Sequence, residues 1–178
     1  MSIEPRQQFN RRCNVVVASD AGAGLDFSTL HIKFSIKKSD AQTPNTAVVR
    51  IYNVAPDTAI RLRKEFTSIS IQAGYEHNIG IVFSGTIKQV RLGRENGVDA
   101  YVDIEAADGD VAYNGAVVSK TLSAGSTQQD QIDTAIAPMR ALGLKTGAEP
   151  AGGAPKLPRG KTMYGMARDY LRHSADAT

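Results

Sequence analysis

Apolar and polar residues alternate one by one at positions 30–37, which is typical of a strand with one buried and one exposed face. A second alternating segment at positions 47–52 follows a loop of small polar residues, 39–45, that has the composition of an exposed turn. The two segments predict an antiparallel pair of strands. The residues expected to face the core are Leu30, Ile32, Phe34 and Ile36 in the first strand and Ala47, Val49 and Ile51 in the second.

Four further segments predict strands in the first part of the chain. A short one at 15–19 ends at a Gly-rich turn, and another lies at 69–73. A long one runs from 79 past 87, with Gly85 where a bulge or sharp coil would fit. Asn96-Gly97, a dipeptide that favours a type I′ hairpin, joins it to the segment 98–106. Six regularly spaced strands predict a small closed or nearly closed antiparallel barrel of the mainly β, α+β class.

Three helices are also predicted. The first has Pro56 near its first position and directs Ile60 and Phe66 to the core. The second follows a capping-box pattern at 126–129, in which the Ser126 hydroxyl and the Gln129 side chain would satisfy backbone N–H groups. Its apolar stripe consists of Ile132, Ile136 and Met139. The third is expected from about Thr162 to His173, after a loop at 146–160 that is rich in Gly and Pro.

The pattern of apolar and polar residues changes after residue 107. Strand patterns dominate residues 13–106, whereas helical patterns dominate 108–178. We therefore expect a barrel domain over 1–107 and the start of a second α/β unit over 108–178. Because the last predicted helix has nothing downstream to pack against, we expect the chain to be a fragment of a longer protein.

Composition places the chain among ordinary globular proteins. It has 178 residues, 42% hydrophobic and 22% charged, and a net charge of +3 that is scattered rather than clustered. Such a small excess does not predict nucleic-acid binding, and no apolar run reaches the roughly 20 residues that cross a bilayer. The single cysteine, Cys13, excludes an internal disulfide, favours a cytosolic site of assembly and is expected to be a buried packing residue.

Neither a cofactor nor a metal is predicted. Gly160-Lys161-Thr162 before a helix is reminiscent of a phosphate-binding loop, but Pro155 and Pro158 lack the backbone N–H groups that such a loop directs at phosphates. The three histidines, His31, His77 and His173, are far apart in sequence and none has a second ligand at zinc-binding spacing.

Carboxylates gather on one strand and just after it. Asp99, Asp103 and Glu105 alternate on the polar face of 98–106, with Asp108 following. Paired acids serve glycoside hydrolysis, but that chemistry uses a cleft beside aromatic residues, and this chain has no Trp. Lys88 and Arg91 offer cross-strand partners instead. With no G-x-S-x-G motif either, we predict no enzyme activity.

Two alternatives remain open from the residues alone. One is a carbohydrate-binding surface module, with a patch around Tyr52 or Tyr75. The other is a cell-wall hydrolase that uses Asp103, Glu105 or Asp108.

The residues themselves resemble the N-terminal part of the baseplate hub proteins of long-tailed phages, a family similar to the hub region of the type VI secretion spike. The shared segments include "F-x-I-x-K" at 34–38, "N-T-A-x-V-R-I-Y-N" at 45–53 and "A-G-Y" at 73–75. They continue with "F-x-G-x-I" at 83–87, the segment that ends in "A-x-D-G-D" at 106–110, and "L-P-x-G-K-T" at 157–162. The resemblance covers most of residues 28–175, and family members continue beyond Thr178.

The resemblance implies a non-catalytic structural protein of the virion tail, made and assembled in the cytoplasm of the bacterial host. It implies a barrel that associates with copies of itself into a ring, with three copies as the expected number. The ring would join the tail tube, or a distal tail protein, to the central spike protein. No nucleic acid or membrane partner is implied.

The outer strand faces are the expected site of this association, because they mix apolar with polar residues and such surfaces suit burial in a permanent assembly. Long strands with unpaired edges are also templates for pairing with another chain. The predicted interface residues are Val48, Arg50, Tyr52, Val82, Thr86 and Lys88.

Overall fold

The computed structural model describes residues 10–39, 43–76, 78–145 and 156–176. The chain divides after Asp108 into two compact units. The first unit contains the strands β1 (Arg11–Ala18), β2 (Gly24–Asp26), β3 (Ile32–Lys37), β4 (Thr46–Tyr52), β5 (Ser68–Tyr75), β6 (Asn78–Glu95) and β7 (Asp99–Ala107), with helix α1 (Pro56–Glu65) between β4 and β5. The second unit contains α2 (Asp110–Gly115), β8 (Val117–Leu122), α3 (Gln128–Ala141), β9 (Lys161–Met166) and α4 (Ala167–Asp176).

The strands of the first unit form one antiparallel sheet in the order β2-β1-β5-β6-β7-β4-β3. The long strand β6 holds the sheet together, because its first half pairs with β5 up to Thr86 and its second half pairs with β7 from Thr86 onward. Two staggered groups of strands therefore share β6. The predicted α+β class is confirmed.

The sheet curves around a single core. Strands β2 and β3 stand at opposite ends of the strand order, yet only residues 27–31 separate them in the chain. That connection reaches about 20 Å at most, whereas the outer strands of a flat seven-stranded sheet lie about 29 Å apart. The curvature places residues from both ends in one cluster, among them Val15, Phe27 and Ile51.

The number of strands in the predicted barrel needs a correction. The sheet has seven strands rather than six, because β2 forms directly after the Gly-rich turn and pairs with the end of β1. The prediction allowed a closed or nearly closed barrel, and the strongly curved sheet agrees with it, although across the described residues no hydrogen-bonded pairing joins β2 to β3.

Two residues predicted to face the core are exposed. Helix α1 buries Ala59 and Leu62, whereas Ile60 is 48% exposed, so the helix is rotated from the predicted orientation, although Phe66 is buried as predicted. Phe34 is 40% exposed, because β3 is the last strand of the sheet and β4 is its one strand neighbour within the described part of the chain.

The bulges of β6 do not lie at Gly85. The register shifts at Val82, opposite β5, and again at Lys88, opposite β7, whereas Gly85 is paired regularly with Ile69. Gly85 is needed for a different reason: a Cβ atom at this position would lie 2.6 Å from the carbonyl oxygen of Ala107. The predicted hairpin turn is present, with positive φ angles at Asn96 (52°) and Gly97 (74°).

Helix α3 is capped one residue later than predicted. Thr127 is the N-cap and Asp130 is the reciprocal partner, with the Thr127 backbone N–H donating to Asp130 Oδ2 at 2.7 Å. These hydrogen bonds to Thr127 lower the pKa of Asp130. Asp130 accepts more strongly than the predicted Gln129 because an ionised acceptor makes charge-assisted bonds.

The last predicted helix begins later than Thr162. Residues 161–166 form β9, which pairs with β8, and α4 starts only at Ala167. Pairing with β8 buries Met163 completely in the second core, together with Val118, Met139 and Ala167. The alternation of this segment was too short to be distinguished from a helical stripe by its apolar residues alone.

Candidate interaction surface

One polar face of the first unit is formed by β3, β4, β7 and the second half of β6. Register places Arg50 between Lys33 and Asp103, and Val48 between Ser35 and Glu105. Side chains alternate across strands, so these residues share the face opposite the core. We call this surface the outer face, and its residues are Lys33, Ser35, Val48, Arg50, Tyr52, Arg91, Tyr101, Asp103 and Glu105.

A bidentate ion pair lies at the centre of the outer face. Arg50 Nε donates to Asp103 Oδ1 at 2.7 Å and Arg50 Nη2 donates to Asp103 Oδ2 at 2.8 Å. The two side chains are 32% and 22% exposed. The hydrogen bonds to Asp103 raise the pKa of Arg50, so the guanidinium stays charged. Because both carboxylate oxygens accept from one planar group, the geometry of the pair is fixed.

Two tyrosines support this ion pair. The Arg50 Cζ atom lies 3.9 Å from the centroid of the Tyr101 ring, a cation–π contact. The Tyr101 ring in turn rests on Gly93, where a Cβ atom would be 2.5 Å from ring atoms. Tyr52 donates its hydroxyl to Glu95 Oε2 at 2.8 Å, and Glu95 lies 3.6 Å from Arg50 Nη1.

Tyr52 is covered rather than available to a ligand. His31 stacks on its ring at a centroid distance of 4.8 Å and an interplanar angle of 16°. Lys33 Nζ lies 5.1 Å from the ring centroid, and hydrogen bonding to Tyr52 raises the pKa of Lys33. With 6% of its surface exposed, Tyr52 has no free ring face for a sugar. This observation does not favour the carbohydrate-binding alternative at Tyr52.

The carboxylates that the sequence singled out do not converge on a cleft. Asp103 is held by Arg50, Glu105 lies 3.9 Å from Arg91 Nη2, and Asp108 is an exposed residue whose backbone N–H donates to the Asn45 carbonyl. The two carboxyl groups of a glycoside hydrolase flank the bond that is cleaved, and these carboxylates do not flank a cleft. The arrangement is that of a rigid polar surface.

Two cavities lie elsewhere in the described part of the chain. A groove of about 390 Å³ in the first unit is mostly apolar and is lined by Ile60, Leu92 and Tyr101 among others. A cleft of about 740 Å³ in the second unit lies between β8 and α3 and contains Lys120 and Asp130. Asp130 is already engaged in the helix cap. The same cleft is also lined by Ser126, whose hydroxyl donates to the Ser123 carbonyl at 2.7 Å, and by Asp133, which accepts from the Gln129 side chain at 2.9 Å.

The described residues contain no cluster of three or more His, Cys, Asp or Glu side chains that could hold a metal ion. His77 and Pro155 lie outside the described residues. Lys161 is the first residue of β9 and donates to the Gln131 side chain at 2.7 Å. Cys13 is half-buried, and this burial raises the pKa of its thiol. None of the described helices is long and apolar enough to cross a membrane.

The six residues predicted for the interface fall into two groups. Val48, Arg50 and Tyr52 share the outer face on β4. Val82 and Lys88 occupy the bulges of β6, and Val82 packs against the core instead of facing outward. Thr86 is half-buried and pairs with both β5 and β7.

The partners of Arg50 were not predicted. The sequence pattern placed Asp103 and Glu105 on one strand face and suggested Lys88 and Arg91 as their cross-strand partners. Arg91 does lie opposite Asp103 and 3.9 Å from Glu105, but Arg50 was not suggested. The alternation of 47–52 and 98–106 indicates that both segments are strands. It does not indicate that the two strands are neighbours, so it could not identify Arg50 as the partner of Asp103.

Comparison with solved structures shows which proteins have a similar fold. The chain superposes on the 43 kDa tail protein of prophage MuSo2 from Shewanella oneidensis with a TM-score of 0.61 and 9% identity, covering 94% of this chain and 48% of that protein. It superposes on a tail protein from Neisseria meningitidis with a TM-score of 0.53 and 17% identity, covering 95% of this chain and 46% of the other.

A third similar structure is the Francisella PdpA–VgrG complex, with a TM-score of 0.52, 9% identity and coverage of 97% of this chain and 26% of that chain. No family model matches the sequence, and no curated protein matches it. The chain spans about half the length of the two tail proteins it matches. The predicted resemblance to tail and hub proteins is thus confirmed at the level of the fold.

Proposed function

We propose that this chain is part of a structural protein of a phage or prophage tail, and that it forms a baseplate hub ring between the tail tube and the central spike. The observation that carries the proposal is the fold, which matches tail proteins over nearly the whole chain. The outer face supplies a surface suited to association between copies.

The charges of the outer face favour its burial in an assembly. Burying an unpaired charge is costly, whereas Arg50 and Asp103 already satisfy each other within one copy. Arg and Tyr are enriched in interface cores, and both are present here around the exposed side chain of Val48. A neighbouring copy would cover Val48 without leaving a charge unpaired.

The proposed role is non-catalytic, because the carboxylates of the outer face form a rigid polar surface and do not line a cleft. In the proposed ring, a tail-tube or distal tail protein would contact one side and the spike protein the other. Three copies are the proposed number, and the location is the virion tail.

Labelling of intact virions tests this proposal. We expect antibody-conjugated gold against the chain to mark the end of the tail distal to the capsid, and mass spectrometry of purified particles to detect the protein. The control is the same phage with the gene interrupted, which should yield heads without complete tails. Label on the capsid, or particles that are complete without the protein, would contradict the proposal.

A further inference from the structure

We infer that the first half of β6, Asn78–Gly85, pairs as an edge strand with β3 of a second copy of this chain. We call these eight residues the β6 edge. This inference rests on the proposed function, because a ring of copies is what requires their head-to-tail arrangement.

The β6 edge has a strand neighbour on one side only. It pairs with β5, whereas pairing with β7 begins at Thr86. Ile87 donates its N–H to Thr67 at 2.7 Å, on the β5 side. Because N–H groups alternate in direction along a strand, the N–H of Ser84 points away from β5. Among the described residues, no second strand meets this side of the β6 edge.

The β6 edge lacks most of the features that keep exposed edges from pairing. Soluble proteins block free edges with charged residues, proline, bulges or a covering segment. The sequence NIGIVFSG contains neither a charge nor a proline, and the one such device seen among the described residues is the bulge at Val82. Ile79 is exposed and Ile81 is 64% exposed. An uncharged edge with exposed β-branched residues is a template for strand addition.

Of the strands in this chain, β3 is the best match for pairing with the β6 edge of another copy. Among the described residues it is paired only with β4, and its six residues nearly match the β6 edge in length, whereas β2 has three. The exposed ring of Phe34 offers an apolar partner for Ile81. Strand β3 is also continuous with the outer face, because Ser35 lies directly opposite Val48.

Charge and symmetry favour the pairing of unlike edges. If two β3 strands paired with each other in antiparallel fashion, the side chains of Lys33 and Lys37 would be brought close to those of the other copy, which is unfavourable. Against the uncharged β6 edge the lysines meet no like charge. A closed ring needs two different surface patches that fit each other, and the β6 edge and β3 are two such patches.

A charge on the β6 edge tests the inference. We expect Ile81→Lys to weaken self-association of the full chain at least tenfold in Kd, measured by sedimentation, because the lysine must lose its hydration when the strands pair. The matched control is Val98→Lys, the same kind of change at an exposed residue of the β6–β7 turn. It should associate like the wild type, and circular dichroism should show both variants folded.

Cysteine cross-linking identifies the partner strand. In a Cys13→Ala background, we expect a disulfide-linked dimer when Ile81→Cys and Phe34→Cys chains are mixed, and none from either chain alone, because both positions are exposed. A dimer from Ile81→Cys alone would show two-fold pairing of the β6 edge and overturn the assignment to β3.

The two proposals fail in different ways. If the wild type associates and Ile81→Lys associates equally well, the edge inference is wrong while the ring proposal stands. If the wild-type chain does not associate at all, both are wrong.

Discussion

Replacing Leu62 by alanine is expected to lower the free energy of unfolding by about 3 kcal/mol. Leu62 is fully buried and belongs to the core cluster that the curved sheet encloses. Truncation removes the transfer free energy of the lost methyl and methylene groups and leaves a cavity. The measurement is equilibrium urea unfolding, followed by circular dichroism.

Ile60 supplies the matched control on the same helix. Because its side chain is about half exposed, Ile60→Ala should cost less than about 1 kcal/mol, and the better helix propensity of alanine offsets part of that. Equal losses from the two variants would contradict the orientation of α1 described here, and a larger loss from Ile60→Ala would support the orientation predicted from sequence.

Replacing Gly85 by alanine is expected to cost about 2 kcal/mol, although only one methyl group is added. The new Cβ atom would lie 2.6 Å from the Ala107 carbonyl oxygen and 2.9 Å from the Phe83 ring. The carbonyl belongs to the backbone of β7 next to its ladder with β6, so it cannot move aside as the end of a flexible side chain would. Strand β6, which the two groups of strands share, would have to shift.

Gly80 on the same strand is the control for Gly85. A Cβ atom at Gly80 would meet nothing within 4 Å. Since alanine is preferred over glycine within strands, Gly80→Ala should leave stability unchanged or raise it by up to about 1 kcal/mol. If Gly85→Ala proved as stable as Gly80→Ala in urea unfolding, the close approach of β6 and β7 would be wrong.

The fold was predictable from sequence wherever the pattern is local. Period-two alternation located five of the six longer strands of the first unit, and a short apolar run located β1. The Asn96-Gly97 turn was correct because its positive φ angles depend on those two residues. Strand β2 was missed because three residues are too few for a periodic signal. The orientation of α1 depends on which face the curved sheet offers, and its own sequence does not contain that information.

The outer face, too, was predictable only where it depends on the local sequence pattern. Alternation placed Val48, Arg50 and Tyr52 together, which the register of β4 supports. The bidentate pair of Arg50 with Asp103 depends on β4 and β7 being neighbours, although 53 positions separate the two residues. Val82 was placed on the surface by strict alternation, but the bulge reverses the direction of its side chain.

The mass of the full chain in solution tests the proposed self-association most directly. Native mass spectrometry over a range of concentrations should show a species of three times 19.0 kDa for the wild type. Val48→Lys, a change at a side chain that is 47% exposed and that the fold therefore tolerates, should give the single-chain mass. A wild-type chain that stays at 19.0 kDa at every concentration, or a Val48→Lys variant that assembles like the wild type, would contradict the outer face as the surface between copies.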